Sequence, residues 1–278
     1  MEDESIYVEH PFSLVKTVES HGWFQLAPWK WDGDVLKRHS QVGSWFGEIR
    51  VWQGGCDEIC YATDRDCPDE IEKTVTRWLS LDWDPSPFLR LCDFYDAQIA
   101  EFVRLGGGRF LRGSTFYEDL VKTICTINTT WRQTKVMVWN LVDLNSGTFP
   151  TPTDVLKFGD FELIDRCKLG FRKETLRHVT SQLLSQVVIS QEGKLIGDRP
   201  SYSDLLSLKG IGPYTAAHSL MLLRDYSKIP VDSEVSATLL SQGIDPKYAQ
   251  DAFARWGDYR FLAYKLARIV DKRNWLGN

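Results

Sequence analysis

Residues 205–235, LLSLKGIGPYTAAHSLMLLRDYSKIPVDSEV, constrain the chain more than any other stretch. Leu205, Leu206 and Leu208 end an apolar helix, and Lys209-Gly210-Ile211-Gly212 makes a tight turn. Two glycines around one apolar residue leave the turn's backbone amides uncovered by side chains. Pro213 then opens a second helix, at the position where its missing N–H costs nothing. A Gly-rich turn feeding a helix N-terminus presents N–H donors and the positive end of a dipole, a ready site for an anion. Ile211, Ala216, Ala217, Leu220, Met221 and Leu222 are apolar at spacings that pack the hairpin onto its neighbours. Downstream, Ile229-Pro230-Val231-Asp232 carries an acid to the mouth of the next helix. Taken singly, Asp232 reads as a helix N-cap and the turn as a plain helix–helix connection.

Composition narrows the classes. The 278 residues are 43% hydrophobic and 26% charged, a globular balance, and their length favours two domains over one. No run is long and apolar enough to span a bilayer. The acidic start, MEDESIYVEH, has the character of neither a signal nor a transit peptide, so an intracellular protein is expected. The six cysteines (56, 60, 67, 92, 125 and 167) contain no C-x-x-C pair, and Cys56, Cys60 and Cys67 lack a nearby His, which argues against zinc. The net charge of −5 is unevenly spread: residues 1–100 hold nine Lys+Arg against nineteen Asp+Glu, leaving 24 against 19 beyond them. The positive surplus lies in the part with the hairpin, and phosphate binding depends on local potential rather than the global sum.

Along the chain, residues 1–88 read as a small α+β domain. A short helix is expected over 12–20, strand-like aromatics at Trp23–Leu26 and Trp29–Trp31, β-formers over 43–53, and a helix over 69–79. Residues 89–278 read as all-helical. Leu91–Arg104 is amphipathic, Ser114 or Thr115 with Glu118 suits a capping box, and Asn128–Trp131 borders the next helix. Arg172–Val188, Ser201–Leu208 and Tyr259–Arg273 follow as helices. The fold class is therefore mainly α, with the α+β part at the N-terminus.

The L-x-G-I-G turn followed by P-V-D resembles the helix-hairpin-helix (HhH-GPD) DNA glycosylase superfamily. Phe149-Pro150-Thr151-Pro152, Leu169-Gly170-Phe171-Arg172-Lys173 and Thr123-Ile124-Cys125-Thr126-Ile127-Asn128 look like its AlkA-like 3-methyladenine and 8-oxoguanine branches. Ser20-His21-Gly22-Trp23 with Gln25, Pro28 and Trp29 resembles the AlkA-like N-terminal domain. The resemblance implies an all-α hairpin bundle behind the α+β domain, acting on double-stranded damaged DNA as a monomer. It implies that Gly210 and Gly212 amides bind a phosphate, with Lys209, Ile211 and Thr215 beside them. It also implies that carbonyls of Leu206, Leu208 and Ile211 hold K⁺ or Na⁺, and that Asp232 is the essential carboxylate. The lack of cysteines after Cys167 excludes the C-terminal iron–sulfur cluster of other branches, so no cofactor is expected.

Strand-nicking branches carry a Lys two residues after the second hairpin glycine. Here that position is Tyr214, and without an amine no Schiff base forms there. AlkA-like enzymes place an aromatic at this position, and a π face suits a cationic alkylated purine. His218, one turn on, either lines the same pocket or is an ordinary helix histidine. Trp131, Trp256 and Tyr264 are candidate pocket residues or core. Ile127–Trp131 is the expected probing loop with Asn128 facing the orphaned base, and Arg172 and Lys173 either meet phosphate or start a solvated helix. Three functions stand open: a monofunctional glycosylase for alkylated purines, an 8-oxoguanine-type glycosylase/lyase, and a hairpin binding module without catalysis.

Overall fold

The structure is a computed structural model describing residues 3–66 and 68–273, so Cys67 lies outside the described residues, as do the side chains of Asp271, Lys272 and Arg273. Strands β1 (Glu4–Tyr7), β2 (Lys30–Trp31), β3 (Leu36–Val42), β4 (Trp45–Gly55) and β5 (Glu58–Thr63) form one antiparallel sheet ordered β1-β5-β4-β3-β2. Helix α1 (Leu14–Val18), capped by Ser13, precedes β2, and α2 (Glu70–Leu79) follows β5. In β3 the side chains alternate across the sheet, burying Leu36, Arg38, Ser40 and Val42. One of the inward positions is thus a charged arginine.

The helical remainder runs α3 (Ser86–Tyr95), α4 (Ala97–Arg104), α5 (Phe116–Cys125), α6 (Trp131–Leu144), α7 (Pro152–Lys157), α8 (Arg172–Ser185), α9 (Tyr202–Ser207), α10 (Pro213–Met221), α11 (Ser233–Ser241), α12 (Ala249–Ala252) and α13 (Arg260–Arg273). Two expectations need correction. Leu91–Arg104 is two helices, because Asp96 turns to extended backbone and caps α4 with its own carboxylate. Trp23–Leu26 is not a strand: residues 22–25 form a 3₁₀ turn that sends Trp23 inward. The boundary expected after residue 88 falls inside α3, and Phe88 packs its ring 5.8 Å from Trp256 in a core shared by both parts.

Helix α5 is the spine of the core, with every residue buried. Its charged groups must therefore find partners inside. Glu118 takes two bonds from Arg38 (2.9 and 3.1 Å) and one from Lys122 (2.6 Å). Thr115 caps the helix, but Glu118 reaches Ser114 N–H instead of completing the expected box. Asp119 accepts from Arg77 (3.0 Å), Gly113 N–H (2.7 Å) and the Trp23 indole (3.1 Å). Helix α5 thereby ties the sheet, α2 and the 22–25 turn to the helical bundle.

Candidate active site and nucleic-acid interface

The hairpin joins α9 to α10. Ser201 and Asp204 form a reciprocal capping box at the start of α9, a local pattern that needs no tertiary help. Gly210 sits at φ +91°, and a Cβ there would stand 2.7 Å from Thr175 Oγ1, so both conformation and space require glycine. Ile211 N–H is used within the turn by Leu208 O (3.0 Å), and Lys209 N–H by Gln182 Oε1 (3.1 Å). The Gly210 and Gly212 amides have no acceptor among the described residues. No side chain caps α10, whose first position is Pro213. Amides without acceptors beside an uncapped helix start are an arrangement that suits an anion.

Behind the hairpin a cavity of about 840 Å³ opens between the α5–α6 loop, α10, the start of α11 and α13. Asp232 stands on its wall. It caps α11 through one oxygen, Oδ1, which accepts Val235 N–H at 2.7 Å. Its Oδ2 accepts no hydrogen bond among the described residues, so half of this carboxylate remains available to the cavity. Tyr214 lines the same space, its hydroxyl 3.4 Å from that of Thr126; burial, with Asp232 and Glu234 nearby, pushes the phenol up. Tyr264 lies on the α13 side, accepting from Arg268 at 3.1 Å, and Arg268 is paired with Glu234.

A row of rings runs along the wall. Tyr214 lies 5.6 Å from His218, His218 5.1 Å from Trp23, and Trp23 4.9 Å from His21, which meets Phe110 edge-on. Burial, reinforced by the Lys265 charge, depresses His218 to about 3. Burial, then His218 and two lysines, also holds His21 well below its ordinary value. Both imidazoles are therefore neutral at physiological pH. Trp131 closes over Gly22, where a Cβ would stand 2.5 Å from the indole, and donates to Gln25 at 2.9 Å.

The α5–α6 loop, with Asn128 at φ +47°, separates this cavity from a second of about 730 Å³ lined by Arg132, Gln133, Lys168, Phe171 and Arg172. Asn128 and Thr129 line both spaces, whereas Ile127 and Trp131 line the first.

Several expected site residues are placed differently. Trp256 is 2% exposed and packs on Phe88 and Tyr95, so it belongs to the core and not the cavity. Arg172 does not face outward for phosphate: its guanidinium holds the Ile127, Asn128 and Leu169 carbonyls and splints the loop. Lys173 is buried and paired with Asp160 and Glu174, both at 2.9 Å. Thr215 and Ile211 are buried, so their side chains belong to the wall and the packing beneath the hairpin rather than to its outer surface. Among the described residues, no cluster of three or more His, Cys, Asp or Glu is placed to hold a metal, and no helix is long and apolar enough to cross a membrane.

His21, Trp23, Phe261, Lys265 and Arg268 line the cavity without having been expected there. The one signal for His21 and Trp23 was the resemblance of the Ser20-His21-Gly22-Trp23 segment, which implied a domain and not a cavity wall.

Neither a protein-family profile nor a curated protein sequence matches the chain. Solved structures do. An 8-oxoguanine glycosylase/lyase from Clostridium acetobutylicum superposes with a TM-score of 0.70 at 17% identity, covering 96% of this chain and 95% of that one. A 3-methyladenine DNA glycosylase from Archaeoglobus fulgidus gives 0.70 at 19% identity, covering 98% and 99%. The chain has the fold of the helix-hairpin-helix DNA glycosylases. A third relative by fold, the Schizosaccharomyces pombe 3-methyladenine DNA glycosylase seen with abasic DNA, covers 67% of this chain at a TM-score of 0.52 and 17% identity. Residues of the hairpin, the α5–α6 loop and Asp232 line one cavity of this fold.

Proposed function

We propose that the chain is a monofunctional DNA glycosylase that flips damaged purines, alkylated ones foremost, out of double-stranded DNA and hydrolyses the N-glycosidic bond. The observation that carries this reading is Asp232, a carboxylate with one oxygen spent on a helix cap and the other left to a cavity of base-accommodating size. A base inside duplex DNA is out of reach, so an enzyme acting on it must extrude the nucleotide. The uncapped α10 and the Gly210 and Gly212 amides would hold a phosphate, while the 127–131 loop fills the gap left in the stack. As the base departs, positive charge grows on the sugar, and Asp232 stabilises it and orients the attacking water. Tyr214 takes the place of a nucleophilic amine and offers a π face to an electron-poor base. His218 is neutral, so it acts through packing or hydrogen bonding rather than as a proton donor at neutral pH.

The carbonyls of Leu206 and Ile211 accept nothing among the described residues, while that of Leu208 takes Ile211 N–H. These oxygens suit K⁺ or Na⁺, which would add positive charge beside the phosphate position. The protein is expected to work as a monomer inside the cell, where its substrate lies.

The equal superposition on an 8-oxoguanine glycosylase/lyase supports a second reading, base excision with strand cleavage. A base-release assay on duplexes carrying single lesions separates the two. Breaks that appear only after alkali, and vanish in Asp232→Asn, are expected; breaks without alkali that borohydride traps would support the lyase. Asn is a good N-cap, so the variant keeps α11, and tight binding without release from any lesion would sink the enzymatic reading.

A further inference from the structure

Arg112 is a buried guanidinium without the partners such a group ordinarily has. It is 6% exposed, and its one hydrogen bond among the described residues is a long contact, 3.5 Å, from Nη1 to Ser80 Oγ. Its Nε is buried and unbonded. Its Nη2 is also unbonded but retains accessible surface, so this end of the group opens to the pocket that Arg112 lines. Arg109, three residues earlier, shows the usual arrangement. Each of its three nitrogens donates to a carbonyl, of Ser80 (3.1 Å), Pro11 (2.7 Å) and Trp83 (3.2 Å).

The pocket, of about 380 Å³, is also lined by Arg77 of α2, by Arg224 just past α10 and by the exposed Lys73. Arg77 donates to Gly113 O and Asp119, and Arg224 to Asp82, and each leaves a nitrogen unbonded among the described residues. Asp82 and the exposed Glu72 share the walls, and Asp119 lies behind Arg77; none of the three bonds Arg112. Burial, then the charges of Arg77 and Arg224, press Arg112 down to about 9 from an ordinary 12.5, so it keeps its charge at neutral pH. The pocket shares no lining residue with the base cavity, and Arg224 follows the end of α10 opposite the hairpin.

We propose that this pocket binds a small phosphate dianion, with Arg112 Nη2 as the principal donor and Arg77, Arg224 and Lys73 around it. Guanidinium groups reach it from three separate segments, which suits a tetrahedral oxyanion with oxygens in several directions better than a planar carboxylate. Its volume is at the low end of ligand pockets, roughly 300–1,000 Å³, so the ligand is orthophosphate or a small phosphate monoester rather than a dinucleotide. Binding here requires nothing of the base cavity.

Calorimetric titration of the full chain without DNA, in phosphate-free buffer at constant ionic strength, compares orthophosphate, deoxyribose 5-phosphate and acetate. Orthophosphate is expected to bind saturably and to raise the melting temperature, and acetate to do neither. Arg112→Met should weaken phosphate binding at least about tenfold, the scale of one charge-assisted hydrogen bond, while Gly210→Ala, which alters the hairpin's own anion position, leaves it within about twofold. Methionine removes an unpaired buried charge, so the variant's melting temperature without phosphate should not fall. If it does fall, Lys73→Ala on the exposed face of α2 decides: binding weakened about threefold, the scale of an exposed ion pair, supports the site, and unchanged binding overturns it. Deoxyribose 5-phosphate displacing orthophosphate marks a monoester site, and failure to displace it marks a site for the free ion; both support a phosphate site. No saturable binding by the unaltered protein, equal binding in Arg112→Met, equal binding of acetate, or a loss caused by Gly210→Ala alone overturns the proposal.

Discussion

Arg38→Met tests whether the ion cluster on α5 holds the cavity's frame together. Arg38 is 2% exposed and forms two bonds to Glu118, which burial alone would drive toward its neutral form. The Arg38 and Lys122 charges outweigh that burial and hold Glu118 at about 2, against an ordinary 4.5. At 1.36 kcal/mol per unit, the depression is worth about 3 kcal/mol. Because the folded value lies below the unfolded one, this stability is fully present above pH 4.5 and is lost as the pH falls toward 2. Methionine keeps much of the side-chain volume but leaves Glu118 with Lys122 as its only ion-pair partner, and breaking a buried pair in this way costs roughly 3–5 kcal/mol. Urea unfolding followed by tryptophan fluorescence should show that loss at pH 7, with the gap to the unaltered protein narrowing at pH 3. Arg38→Met with Glu118→Gln should recover part of it, since no charge is then stranded. A loss under about 1 kcal/mol at pH 7, or a gap that acid leaves unchanged, would refute the argument.

Three further outcomes are expected. Tyr214→Lys places an amine in the cavity beside Asp232, and should yield a borohydride-trapped adduct and strand breaks without alkali, read on denaturing gels. Gly210→Ala forces a positive φ and a 2.7 Å contact with Thr175, so affinity for all duplexes, damaged or not, should fall by about tenfold, the effect of roughly 1–2 kcal/mol of backbone strain. His218, depressed to about 3, stays neutral through the working range, so single-turnover base release should show no step near pH 6.5. Its folded value lies below its unfolded one, so it withdraws stability as pH falls from 6.5 toward 3, and His218→Phe should lessen acid lability in thermal melts.

The hairpin and its acid were legible in the sequence because they are local. A glycine at positive φ, a proline at a helix start and an aspartate at a helix mouth are set by backbone geometry within a few residues. The helix of residues 70–79 follows for the same reason, and the caps that open α9 and α6, though not anticipated, are equally local. The 127–131 loop was likewise readable as the segment between two amphipathic helices, though not as a partition between two cavities.

What tertiary structure alone decided are the roles that depend on distant partners. Arg172 and Lys173 read as cations at a helix start, yet carbonyls 45 and 44 residues away and Asp160 take them inward. Trp256 and Trp23 are equally buried, yet Trp256 packs on Phe88 away from the cavity while Trp23 backs its wall, held by a bond to Asp119 across 96 residues. His21 reaches the cavity wall because the 3₁₀ turn beside it packs Trp23 on His218 of α10. Periodicity shows which face of a segment is apolar, but not which other segment will cover it. Short-range sterics and capping therefore fixed the hairpin and Asp232 from the sequence, while packing between distant segments chose the walls around them.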